Sequence, residues 1–248
     1  MICFDNLSTK NPYKKYYSDS YTNNYLTDCI SSKWTETLRS RLAIPYSPRK
    51  KILDVACGTG MLGKILSDNV YGFDLSQEAV EIAKKNGINV QLGDVERKWN
   101  FPDNYFDTVI ASHIIEHMVN PDHLLLEAKR VLKKDGLLII ATPNLAAWFN
   151  RILLLLGYQP FFTEVSTLDK TLGLKFTRKF TNLRNPLGHL RLFTCRSLKD
   201  ILELHGFEIT KISGAEFLAF PPLLLFIDKM FTHLTPFASN IIVVAKKL

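Results

Sequence analysis

The stretch Ile52-Leu53-Asp54-Val55-Ala56-Cys57-Gly58-Thr59-Gly60 decides the fold. A short apolar strand ends in an acid and runs into a glycine turn, which is expected to open a helix over residues 61–67. Glycine there reaches dihedrals closed to other residues and lets the backbone approach a ligand. Gly58, Gly60 and Gly63 also fit G-x-G-x-x-G, the spacing of a dinucleotide-binding turn. The same spacing fits a tight strand-to-helix turn that holds nothing, so the glycines alone do not choose a ligand.

Working outward, short apolar strands alternate with amphipathic helices. Strands are expected over 51–55, 70–73, 88–92, 107–111, 137–141, 207–212 and 240–245. Helices are expected from an N-cap at Ser76 to about Asn86, over 121–132 and over 197–205, with Asp135-Gly136 as a turn. Strand and helix repeated in this way imply a parallel sheet covered on both faces. The stretch 143–195 interrupts the alternation and is too long for an ordinary connection, so it reads as a lid or substrate element. The chain therefore divides into an N-terminal helical cap (1–47), a core (48–142), the lid (143–195) and a C-terminal part of the sheet (196–248), all in one domain. Within the cap, helical periodicity covers 21–42, and Pro45 and Pro48 then break the chain.

Composition bounds the answer. With 248 residues, 46% hydrophobic and 22% charged, the chain can bury a full core, which excludes disorder, collagen and coiled coil. No apolar run reaches the roughly 18 residues needed to span a bilayer. Residues 1–10 lack an apolar signal-like stretch, so no secretory leader is expected. Cys3, Cys29, Cys57 and Cys195 are scattered without a C-x-x-C pair, which reads as reduced thiols of a cytoplasmic protein.

Three acids at successive strand ends choose the ligand. Asp74 follows Gly72-Phe73 at the end of the second strand, 14 residues after Gly60, where a carboxylate can accept both hydroxyls of a ribose. Asp94, in Gly93-Asp94-Val95, offers a second carboxylate for an adenine amino group. Asp54 brings negative charge into the glycine turn itself, which suits a cationic ligand and would repel a pyrophosphate. The set favours an adenosine with a positive centre over NAD.

On these residues, together with Phe106-Asp107-Thr108-Val109-Ile110 and the run from Leu124 to Asn144, the chain resembles the class I S-adenosylmethionine (SAM)-dependent methyltransferases of types 11 and 23. The resemblance is strong over about 50–142 and looser over 187–246. It implies a Rossmann-like α/β fold: a seven-stranded sheet with the last strand antiparallel and helices on both faces. It implies SAM as cofactor, held by Asp54, Ala56, Cys57, Gly58, Gly60, Asp74, Leu75, Asp94, Val95 and Ser112. Ala56 departs from the family, which usually has glycine there.

Ala111-Ser112-His113-Ile114-Ile115-Glu116-His117-Met118 is similar to the matching stretch of quinone-biosynthesis O-methyltransferases. Some of those enzymes hold a divalent metal there with two acids and a histidine; His113 replaces the first acid here. His113, Glu116 and His117, at i, i+3 and i+4, would share one helical face and permit a metal site or a general base. Alternatively they close over the cofactor and pack against the sheet. No fourth ligand is visible nearby, so no metal is assigned. His113, His117 and His189 are the candidate bases for the acceptor's proton. His189 sits in Gly188-His189-Leu190-Arg191-Leu192-Phe193-Thr194, which resembles a segment that faces the acceptor in such enzymes, or else anchors the lid.

The net charge of +7 is concentrated. Residues 145–200 carry nine basic and three acidic side chains, a net +6. The stretches 145–157 and 217–231 are apolar, too short to span a bilayer, and read as a lid core, a dimer contact or an interfacial surface. Tyr13, Tyr16, Tyr17, Tyr21 and Tyr25 read as a cap over SAM or as a packed helix face. The expected activity is methyl transfer from SAM to a small-molecule or lipid-linked acceptor, at oxygen. A peripheral contact with the anionic inner face of a membrane is retained, and nucleic acid is set aside for want of a recognisable module. The rival readings are an NAD-dependent reductase and a non-catalytic SAM-fold scaffold.

Overall fold

The computed structural model describes residues 32–42, 47, 49–179 and 185–248. The five N-terminal tyrosines, Cys3, Cys29, Pro45, Pro48 and Arg184 lie outside the described residues.

Seven strands form one sheet in the order β3-β2-β1-β4-β5-β7-β6. They are β1 (Ile52–Val55), β2 (Val70–Asp74), β3 (Asn89–Leu92), β4 (Phe106–Ser112), β5 (Leu132–Pro143), β6 (Phe207–Ala215) and β7 (Asn240–Lys247). β1 to β5 run parallel, and β7 pairs antiparallel with both β5 and β6. The expected sheet, with its antiparallel last strand, is what forms.

The helices are α1 (Ser32–Leu42), α2 (Gln77–Lys85), α3 (Pro121–Val131), α4 (Trp148–Leu155), α5 (Cys195–Leu204) and α6 (Pro222–Phe231). Ser76 caps α2 as expected, its hydroxyl accepting the Ala79 amide. Leu124, Leu125 and Val131 of α3 and Leu198 and Leu202 of α5 pack into one apolar cluster with Val109, Leu138 and Val243. Leu38 and Leu42 of α1 and Val80 and Ala83 of α2 pack into a second cluster with Ile52, Ile110 and Ile139. Strand residues of alternating direction divide between the clusters, so both faces of the sheet are covered.

Two expectations change. The helix over 61–67 is only a 3-10 turn, Gly63–Ile65. Gly60 enters with φ +77, Asp54 accepts the Gly63 amide, and the Ser67 hydroxyl donates to the Lys50 carbonyl, so both ends are tied before a full α-turn can close. The Asp135-Gly136 turn is absorbed into the start of β5 as an irregularity: Asp135 has φ +60, and the β4–β5 register shifts between Phe106 and Thr108.

Candidate active site

The strand ends of a parallel sheet gather loops at one edge, and the candidate residues meet there. Gly58 (φ +51) donates its amide to Asp74 Oδ2 at 2.9 Å, and Ser76 donates its amide to Oδ1 at 2.9 Å. The Asp74 carboxylate thus clamps the glycine turn to the end of β2. Burial pushes it above the ordinary carboxylate range, against the two amides. A Cβ built on Gly58 would meet nothing within 4 Å, so the turn faces open space on its ligand side, whereas one on Gly60 would strike Ile88 at 2.4 Å. A glycine turn open on one side and a carboxylate with lone pairs to spare are the donor set an adenosine with a methionine tail needs; the residues fit SAM.

Asp54 and Cys57 lie beneath the turn. Asp54 is buried and accepts the Gly63 amide at 3.1 Å; burial pushes its pKa up to about 8. Its task in this state is to brace the turn as a neutral acid, which differs from the negative charge the sequence suggested. The Cys57 sulfur packs on Gly72, where an added Cβ would come within 2.7 Å, and burial raises its thiol pKa. Ala56 has φ +52, a left-handed conformation that costs a non-glycine residue about 1–2 kcal/mol and accounts for the family's glycine at this place. Leu75 is partly exposed beside Asp74, and Val95 is buried beside Asp94. Asp94 Oδ1 accepts the Glu96 amide at 3.1 Å, and Oδ2 lies 3.7 Å from Arg97.

The end of β4 carries a second constellation. His113, at φ +53, is not helical, and only Ile115–His117 form a 3-10 turn, so the expected helical face does not exist. His113 and Glu116 meet nonetheless, with Nδ1 3.2 Å from Oε1. Glu116 is fully buried, and its Oε2 accepts the Thr142 hydroxyl at 2.9 Å. Burial alone would raise its pKa, but the His113 hydrogen bond and the surrounding histidines outweigh this and hold it at about 2. An ionised carboxylate only accepts, so Nδ1 of His113 is the donor in this contact and Nε2 is the ring nitrogen left for another partner. The His113 ring lies 4.8 Å from that of Trp34, whose indole nitrogen is 3.5 Å from the Ser112 hydroxyl.

His117 turns the other way. Its Nδ1 donates to the Gly188 carbonyl at 3.2 Å, and its ring lies 4.8 Å from His189. His189 Nδ1 donates to the Phe162 carbonyl at 3.0 Å. Burial lowers both, His117 to about 4, so both rings are neutral near pH 7. Glu164 receives the amides of Leu187, Gly188 and His189, and the Glu116 carbonyl accepts those of Leu190 and Arg191. Residues 162–164 and 187–191 are thereby laced to one another and to the end of β4. Glu116, His117 and His189 bring ligating-type atoms within 4.8 Å of one another, a set a divalent cation can use. Trp34, Thr142 and Glu164 escaped the sequence reading because each reaches the site from a distant element.

These ionisations give a testable stability profile. Asp54 is protonated in the fold to about pH 8 but to only 3.8 when unfolded, so its contribution is complete below 3.8 and is lost as pH rises toward 8. His117 acts oppositely: its contribution is lost as pH falls from 6.5 to about 4. The apoprotein is expected to lose stability between pH 6.5 and 8, by up to about 2 kcal/mol at roughly 1.4 kcal/mol per pH unit. Asp54→Asn keeps the acceptor for Gly63 and should flatten that decline; urea unfolding at both pH values reads it, and an equally steep variant rejects the assignment.

Comparison with known proteins decides the family. The methyltransferase domain profile matches residues 30–212, well over half of the chain. The chain belongs to the SAM-dependent methyltransferases, and SAM is its cofactor. An uncharacterised protein of Methanocaldococcus jannaschii, MJ1252, is 30% identical over 200 residues, 79% of this chain and 76% of that one. The ubiquinone biosynthesis O-methyltransferase of Pelagibacter ubique is 32% identical over 101 residues, 38% of this chain. The match spans only 42% of that enzyme's length. A chain from the complex between the Haloferax volcanii Trm112 methyltransferase activator and a methyltransferase shares the fold, with a TM-score of 0.64, 14% identity, and coverage of 96% of this methyltransferase and 99% of that chain. Among the described residues no helix is long and apolar enough to cross a membrane.

Proposed function

We propose that this methyltransferase transfers the methyl group of SAM to an oxygen of a small-molecule or lipid-linked acceptor, with His113 as general base. The observation that carries it is the His113–Glu116 pair at the end of β4. Bound SAM supplies a methyl group on a sulfonium sulfur, already activated toward a nucleophile. The Gly58–Gly60 turn seats its methionine part, Asp74 its ribose and Asp94 its adenine, with Leu75 and Val95 beside the rings. Ser112 and Trp34 border the place where acceptor and methyl group meet. The chain then has two tasks: alignment of acceptor, methyl and sulfur, and removal of one proton. SAM would supply the methyl group to the acceptor oxygen and leave as S-adenosylhomocysteine with the S–CH3 bonding pair, and Nε2 of His113 would take the hydroxyl proton. His117 and His189, neutral and turned to backbone carbonyls, line the acceptor side.

The test is incubation with methyl-labelled SAM and a cell extract. Label should appear in an organic-extractable product, and His113→Gln should lower the rate by about a hundredfold or more while leaving SAM affinity within twofold. Tight SAM binding without transfer would favour a scaffold that only holds the cofactor.

A further inference from the structure

We propose that α4 and α6 together form a docking surface for an anionic lipid bilayer. This goes beyond the methyl-transfer reading and does not depend on it.

Both helices are built inside out. α6 buries its one acid, Asp228, whose carboxylate receives the Trp148 indole N–H at 2.7 Å, the Phe217 amide at 2.6 Å and the Ser239 hydroxyl at 2.5 Å. Its outward side presents Leu223, Phe226 and Met230, at i, i+3 and i+7, and Leu223 is 73% exposed. α4 buries Asn150, which is bonded to the Phe161 amide at 2.7 Å, and exposes Leu154 and Leu155, with Leu156 just beyond its end. Leu155 is 86% exposed. The two helices are locked together, since Trp148 stacks on Phe231 with centroids 5.3 Å apart. Buried polar groups that are satisfied and exposed apolar ones that are not mark a surface made to meet something apolar.

Two features say what that is. Consecutive residues are 100° apart on a helix, so Leu154 to Leu156 sweep about 200° of the α4 circumference. An acyl phase can take up apolar side chains spread over that arc. Charge supplies the second. Residues 145–163 contain no acid and 217–238 contain only the buried Asp228, while Arg151 and Lys229 are exposed at the margins of the apolar faces. The only exposed full charges here are therefore positive, which complements anionic headgroups and repels no part of them.

The experiment is flotation of the purified full chain with vesicles of phosphatidylcholine containing 30% phosphatidylglycerol, and with phosphatidylcholine alone, at 50 mM and 500 mM NaCl. The chain should float with the anionic vesicles at low salt, at least tenfold less with the neutral ones, and less at high salt. Leu155→Glu/Phe226→Glu, both at exposed positions, should abolish flotation at unchanged circular dichroism, and Lys229→Glu should weaken it severalfold. Absence of flotation at low salt, or binding indifferent to all three substitutions, overturns the proposal. So does a stable dimer in light scattering that Leu155→Glu/Phe226→Glu dissociates without any effect on vesicle binding, because the faces would then be covered by a second copy. The readout uses neither SAM nor acceptor, so an error in the assigned chemistry leaves it untouched.

Discussion

Asp74→Ala is expected to weaken binding of both SAM and S-adenosylhomocysteine by at least about a hundredfold. A hydrogen bond to a charged group contributes about 1.5–3 kcal/mol, and about 1.4 kcal/mol is a factor of ten, so the loss of two ribose contacts already reaches that figure. The carboxylate also accepts the Gly58 and Ser76 amides, so its removal frees the glycine turn from the end of β2 and adds an ordering cost to binding. The equality of the two losses is the sharper part. Ribose is common to SAM and its product, whereas the sulfonium charge belongs to SAM alone. A residue that acted by its charge on the sulfonium would discriminate between them. Asp74→Asn keeps the shape and one acceptor oxygen and should fall between wild type and alanine. Calorimetric titration of the three proteins decides it; affinities within threefold of wild type for Asp74→Ala would remove Asp74 from the ribose.

How far the site could be read in advance follows from the range of the interactions. The glycine turn and the acids at the ends of β1 and β2 are local signals, and each lies where the alternation of strand and helix places it. The helix expected after the turn is cut to a 3-10 turn because the decisive ties, Asp54 to Gly63 and Ser67 to Lys50, join residues whose proximity only the folded turn creates. The spacing of His113 and Glu116 brings them together, but not on a helical face. A left-handed His113 followed by a 3-10 turn delivers the contact. Thr142 reaches Glu116 across 26 residues, and Trp34 reaches Ser112 across 78 while its ring lies against His113; no local pattern encodes such a meeting. The same holds for α4 and α6. Their apolar character is plain in the sequence, yet which side is buried depends on where Asn150 and Asp228 find partners.

Glu116 is where tertiary placement has its largest expected consequence. Glu116→Gln should lower the rate of methyl transfer by about a hundredfold with SAM affinity unchanged, because in the proposed reaction Glu116 acts through His113. An ionised carboxylate admits only a donor opposite it; the Gln amide presents either an oxygen or an NH2, and the second orientation forces the proton onto Nε2, where it blocks the base. Stability supplies a readout independent of activity. Glu116 titrates at about 2 in the fold against 4.5 when unfolded, so its contribution is present above pH 4.5 and is lost as pH falls toward 2. The wild type should therefore unfold steeply with acid below pH 4.5, and Glu116→Gln should be weaker at pH 7 but flatter in that range. Glu116→Ala should be worse than either, since it also strands the buried Thr142 hydroxyl. Glu116→Asp, one methylene shorter but still anionic, should recover part of the rate. A Gln variant that transfers methyl groups at the wild-type rate would show that His113 needs no anionic partner, and would move the base elsewhere.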